Sequence, residues 1–134
     1  MRCITKSFAF HAAHRLRHPD RTDEENQAVF GVCAFPHGHT YQLQVTLAGT
    51  PDDNGMILLF GSLKSIVSEA VLSRYDHADL NALPEYQRVP PTAEVIAGHI
   101  FDVLAPLLTT DRYRLHEVRL YETPTAWASV TADA

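Results

Sequence analysis

Cys33-Ala34-Phe35-Pro36-His37-Gly38-His39 places two imidazoles two residues apart, just ahead of an alternating apolar run. On an extended chain, residues i and i+2 point the same way about 6–7 Å apart, so His37 and His39 can reach one ion. Gly38 between them is expected to leave open space beside that ion and to let the backbone approach closely. A site with one position free for substrate needs a third imidazole. His11, His14 and His18 are the candidates, at or just past the end of the first strand. Three neutral histidines suit Zn²⁺, and eight histidines in 134 residues make that chemistry the first to consider.

Other residues have two readings each. Cys33 is either a fourth ligand of a closed site or an activated thiolate beside an open one, whereas Cys3, near a strand start, reads as a small buried hydrophobe. Asp76-His77 either orients an imidazole for general acid–base work or closes a helix as an Asx-turn. Glu122 follows Val118 and Leu120 in strand phase, so its carboxylate points into a pocket or sits at a strand end already in water.

The elements that must position these groups follow from periodicity. Residues 3–10 read as a strand with Ile4, Phe8 and Phe10 on one face, broken by Lys6. The charged stretch from Arg15 to Val32 reads as a long loop. From His39 to Leu47, Tyr41, Leu43, Val45 and Leu47 alternate with polar residues, a strand with one wet face. Gly49–Gly55 is a turn, and Met56–Phe60 a short strand or the lead-in to a helix. Leu63, Ile66, Val67, Ala70 and Val71 then have helical spacing, with Ser62 as N-cap. A second helix starts after Thr92, with Ile96, Ile100, Val103, Leu104 and Leu107 as its stripe. In the last quarter His116, Val118, Leu120 and Glu122 share a face, Pro124-Thr125 turns, and Trp127–Thr131 pairs back. Strands and helices in separate runs indicate an α+β fold.

Composition excludes several classes. At 134 residues the chain is one domain, and 46% apolar residues suffice for a core. Eleven Lys+Arg against sixteen Asp+Glu, net −5, argue against a sequence-blind nucleic-acid binder. No run approaches a membrane span, the N-terminus lacks the apolar middle of a signal peptide, and two cysteines fit a reducing cytoplasm.

In order along the chain, Phe10-His11-Ala12-Ala13-His14-Arg15-Leu16, His37-Gly38-His39, Gly55-Met56-Ile57 with Leu63-Lys64, Asp76-His77 with Leu80-Asn81, Pro91-Thr92 with Glu94, and Glu122-Thr123 together resemble the 6-pyruvoyltetrahydropterin synthase superfamily of tunnelling-fold pterin enzymes. The resemblance implies an antiparallel sheet with two helices on one face, in a homo-oligomer (a hexamer) whose sheets join into a barrel. It implies that His14, His37 and His39 hold zinc, that Cys33 is the base, and that Asp76 and His77 relay protons. It further implies that Glu122 grips the pterin edge, with Thr92 and Glu94 near that pocket. Three residues separate Cys33 from His37. That gap is similar to the bacterial 6-carboxytetrahydropterin synthases of queuosine biosynthesis. The implied reaction converts 7,8-dihydroneopterin triphosphate to 6-carboxytetrahydropterin, triphosphate and acetaldehyde. The alternatives are 6-pyruvoyltetrahydropterin formation and a non-catalytic pterin-binding homologue. Arg15, Lys64 and Arg88 are candidates to hold the triphosphate. Two departures stand out: Leu59-Phe60 replaces the family's Asp or Asn before the first helix, and the stretch between Leu16 and Cys33 looks longer than in compact members.

Overall fold

Alternating apolar residues build two thirteen-residue strands, β1 (Arg2–His14) and β2 (His37–Gly49). They pair antiparallel without interruption, from Arg2 opposite Gly49 to His14 opposite His37. The computed structural model describes residues 1–133. β1 runs past the predicted end at residue 10 because Ala12 and His14 keep the inward phase, both buried. Lys6 does not break that face: it is half-buried, its ammonium 5.8 Å from the Phe8 ring centroid. Cys3 is exposed, not the buried hydrophobe expected.

A two-residue strand, β3 (Ala78–Asp79), runs parallel to β1 at Ala12 and Ala13. β4 (Tyr113–Thr123) joins the other side of β2, and β5 (Ala126–Thr131) returns along β4. The order is β3-β1-β2-β4-β5, antiparallel except for β3. The predicted inward set on β4 holds at Val118 and Leu120 but not at His116. Thr46 pairs with Glu117 and Leu47 with Leu115, so His116 is an extra residue in a bulge and Leu115 takes the buried position. A second irregularity, between Tyr121 and Thr123, sits at Glu122 beside the hairpin turn.

Two helical runs cover one face of the sheet. α2 (Phe60–Val67) continues through a π-helical turn (Ser68–Leu72) into α3 (Ser73–Tyr75), and Leu63, Val67, Val71 and Tyr75 bury against the strands. α4 (Ala93–Leu104) opens on Thr92, whose hydroxyl accepts the Val95 N–H, and buries Ile96, Ala97, Ile100 and Leu104. Val103 and Leu107, expected in its stripe, are exposed, and Leu108 takes the core position instead. Among the described residues no helix is long and apolar enough to cross a membrane.

The stretch read as a loop contains a helix, α1 (Asp23–Phe30). Thr22 Oγ1 accepts the Glu25 N–H while the Glu25 carboxylate accepts the Thr22 N–H, a capping box. Asn26 is its buried anchor: its amide donates to the carbonyls of His18, Arg21 and Thr22 and accepts from the His18 N–H. The following 3₁₀ turn, Gly31–Ala34, carries Cys33.

Leu59, rather than Ser62, is the N-cap of α2, with no side-chain hydrogen bond and 56% exposure. The polar residue missing at this position therefore bears on helix capping. Leu59→Asp is expected to raise stability by about 1 kcal/mol, read by urea unfolding, with metal content unchanged.

Candidate metal centre

Cross-strand register brings the triad together. His14 lies opposite His37 and Ala12 opposite His39, so all three imidazoles leave the same face where β1 ends and β2 begins. One nitrogen from each falls within 4.8 Å of the others. His14 Nδ1 donates to the Pro91 carbonyl at 2.8 Å and His37 Nδ1 to the Phe35 carbonyl at 2.8 Å. A carbonyl only accepts, so both rings carry their proton on Nδ1 and turn an Nε2 lone pair to the centre. His39 Nε2 is buried without a hydrogen-bond partner. Three convergent imidazoles, with a buried orphan nitrogen among them, fit a metal ion.

The electrostatics agree. Burial drives the His14 imidazole down to about 4 from its ordinary 6.5, against the Pro91 carbonyl and with help from His37 and His39. Burial also lowers His39, against the Glu122 carboxylate and with His37. Both rings are neutral at pH 7, as a ligand must be. The unfolded chain takes up the His14 proton near pH 6.5 and the folded chain only near 4, so metal-free protein is to lose on the order of 3 kcal/mol between those values. Thermal melts with chelator at pH 7.5 and 5 check this, and His14→Gln should flatten the difference.

Several side chains surround the triad. Tyr41, fully buried one step along β2, holds its hydroxyl 3.3 Å from His14 Nδ1, and burial keeps the phenol protonated. Glu122 Oε1 stands 3.8 Å from His14 Nε2, its side chain about a quarter exposed, so the carboxylate reaches the site from β4. A concavity of about 500 Å³ opens beside His14, lined by Ala13, Arg15, Pro36, Asp79 and Asn81. Of the candidate triphosphate cations, Arg15 lines it; Lys64 and Arg88 are exposed elsewhere. Asn81 fixes the Arg15 backbone by accepting its N–H at 2.8 Å and donating to its carbonyl at 3.0 Å.

Cys33 is exposed and is not a member of the three-histidine cluster. Its carbonyl accepts the Leu16 N–H at 2.7 Å, tying its turn to the end of β1. Thr92 caps α4 directly after the Pro91 carbonyl that holds His14, and Glu94 is exposed in the first turn. Gly38 faces away from the triad, and a Cβ there would meet only the Ala12 carbonyl oxygen at 3.6 Å, so the space expected beside the ion is not what this glycine provides. His18 is taken up in the Asn26 turn.

Asp76 and His77 lie on the opposite side of β1. Asp76 Oδ1 accepts the His11 N–H at 3.0 Å and stands 3.1 Å from His77 Nδ1. His11 is three residues from His14, and in a strand that puts their side chains on opposite faces. Tyr41 could have been found from the sequence, since it follows His39 in strand phase. The Pro91 carbonyl had no sequence signal.

The 6-pyruvoyl tetrahydropterin synthase family model matches residues 3–133. The human 6-pyruvoyl tetrahydrobiopterin synthase is 36% identical over 124 residues, 90% of this chain and 84% of that protein. The 6-carboxy-5,6,7,8-tetrahydropterin synthase of Haemophilus influenzae is 32% identical over 146 residues, 92% of this chain and 94% of that one. The Caenorhabditis elegans 6-pyruvoyl tetrahydropterin synthase structure superposes with a TM-score of 0.88 at 29% identity, covering 98% of this chain and 95% of its own. A family model that matches almost the whole chain, relatives at 36% identity and a shared fold lead to one conclusion: the protein belongs to the 6-pyruvoyl tetrahydropterin synthase family.

Proposed function

We propose that the protein is a zinc-dependent lyase that acts on 7,8-dihydroneopterin triphosphate, expels triphosphate and forms 6-pyruvoyltetrahydropterin. The observation that carries this reading is the set of three imidazoles around a common centre with the Glu122 carboxylate at its edge. The product branch is supported by the 36% identity to the human pyruvoyl-forming enzyme, against 32% to the carboxy-forming one. This departs from the carboxy product expected from the sequence. The three-residue gap between Cys33 and His37 still favours 6-carboxytetrahydropterin, so that product is the second reading.

In this reading Glu122 accepts the 2-amino and ring N–H groups of the pterin, a charge-assisted pair of bonds that fixes the side chain over the histidines. His14, His37 and His39 would hold the metal, which would supply Lewis-acid polarisation of the side-chain oxygens when bound. Cys33, as thiolate, takes the proton from the side-chain carbon, and triphosphate leaves past Arg15. Asp76 and His77 face away from the triad of their own chain. The relay therefore needs Asp76 and His77 of the partner subunit, in a homo-oligomer (a hexamer by family resemblance) whose sheets join into a barrel. Two free cysteines suit a reducing cytoplasm.

Mass-spectrometric product analysis tests the reading. Zinc-loaded protein with the triphosphate substrate is expected to give a product retaining all side-chain carbons, and Cys33→Ala to slow it by about 10³-fold. Acetaldehyde with 6-carboxytetrahydropterin would establish the second reading, and intact substrate would refute both.

A further inference from the structure

The backbone at Asp76-His77 is held in an unusual shape, and His11 holds it. His77 is the only non-glycine with positive φ among the described residues, at 62°. Its N–H donates to the His11 carbonyl at 2.5 Å, while the His11 N–H donates to Asp76 Oδ1 at 3.0 Å. The dipeptide is therefore clamped by both main-chain groups of one β1 residue. The His11 side chain stands on the same side. Its ring meets the His77 ring edge-on, centroids 5.8 Å apart at 61°, and its Nδ1 is tied to Thr40 Oγ1 at 3.0 Å. Both rings line one open concavity of about 450 Å³ over the exposed face of β1 and β2.

We propose that His11 is a positioning residue for His77: anchored by the Thr40 hydroxyl, its ring sets the rotamer from which the His77 imidazole exchanges protons with substrate. The proposal rests on the lyase reading for its catalytic part only. The Asp76 carboxylate, 3.1 Å from His77 Nδ1, holds one side of the ring, and with the side chain 77% open to solvent the edge contact with His11 limits the rotamers that remain. Thr40 fixes the His11 ring in turn, which makes the order of dependence Thr40, His11, His77.

Substitution isolates the ring, because the two main-chain bonds survive any side chain at position 11. His11→Ala is expected to lower kcat by about tenfold with KM within about twofold, and His11→Phe, which keeps the edge contact, to recover most of the loss. Zinc content stays at that of the unsubstituted chain in both. Long-range ¹H–¹⁵N imidazole spectra supply a readout independent of turnover, with the His77 signals assigned through His77→Gln. They are expected to move in His11→Ala and in Thr40→Val. Unmoved His77 signals overturn the proposal, even if His11→Ala also melts earlier, because that pattern describes a purely structural residue. An unchanged kcat in His11→Ala overturns it as well. Failure of the unsubstituted chain to turn over substrate counts against the lyase reading instead, and the His77 signals then decide the positioning alone.

Discussion

His37→Ala is expected to empty the metal site and to reduce kcat/KM by on the order of 10³-fold. The imidazole has no role in the core that would confuse the result. It lies at the mouth of the β1–β2 ladder, half-buried, with Nδ1 on the Phe35 carbonyl and Nε2 turned to the centre. Its removal leaves two ligands, one with its nitrogen buried and orphaned. Metal analysis of the purified variant should read below about a tenth of an equivalent, against close to one for the unsubstituted chain. His18→Ala is the control. That ring accepts the Asp20 N–H and lies outside the three-histidine cluster, so metal content should not change.

Glu122→Gln separates substrate recognition from metal binding. The carboxylate stands 3.8 Å from His14 Nε2, close enough to ask whether it is itself a ligand. If its role is to accept two N–H groups of the pterin, the amide keeps one acceptor, presents a donor where an acceptor is needed, and loses the charge. Two charge-assisted bonds weakened together amount to roughly 3 kcal/mol, so kcat/KM should fall by about 10²-fold, chiefly through KM. Zinc content should stay at one equivalent. Loss of zinc in this variant would make Glu122 a fourth ligand and would leave the pterin without its proposed anchor.

The site was legible where strand phase alone decides geometry. His37, His39 and Tyr41 share a face because β2 alternates without a bulge, and His14 joins them because β1 keeps its phase for four residues past the predicted end. Phase failed at His116, where an extra residue in β4 moved the buried position to Leu115, and nothing apolar in the local pattern announces that bulge. α1 was missed for a different reason. It buries only Asn26, so it has no apolar stripe to detect, and its stability comes from capping and from one amide satisfying three carbonyls. Thr22 and Glu25 were nevertheless a readable capping box. The missing cap at Leu59 shows the converse, since α2 forms there without one because Leu63 and Val67 are buried in the core. Contacts across the chain were out of reach of any local pattern. The Pro91 carbonyl on His14 and the His11 clamp on Asp76-His77 each join segments more than sixty residues apart.

The claim that three histidines make this a metal-dependent lyase is tested most directly by removing the metal and returning it. Chelator-treated protein should release no triphosphate from 7,8-dihydroneopterin triphosphate. One equivalent of Zn²⁺ per chain should restore release in the unsubstituted protein and not in His37→Ala. Triphosphate release that persists at the same rate in verified metal-free protein would contradict the account, because polarisation of the substrate side chain is the role it gives the metal.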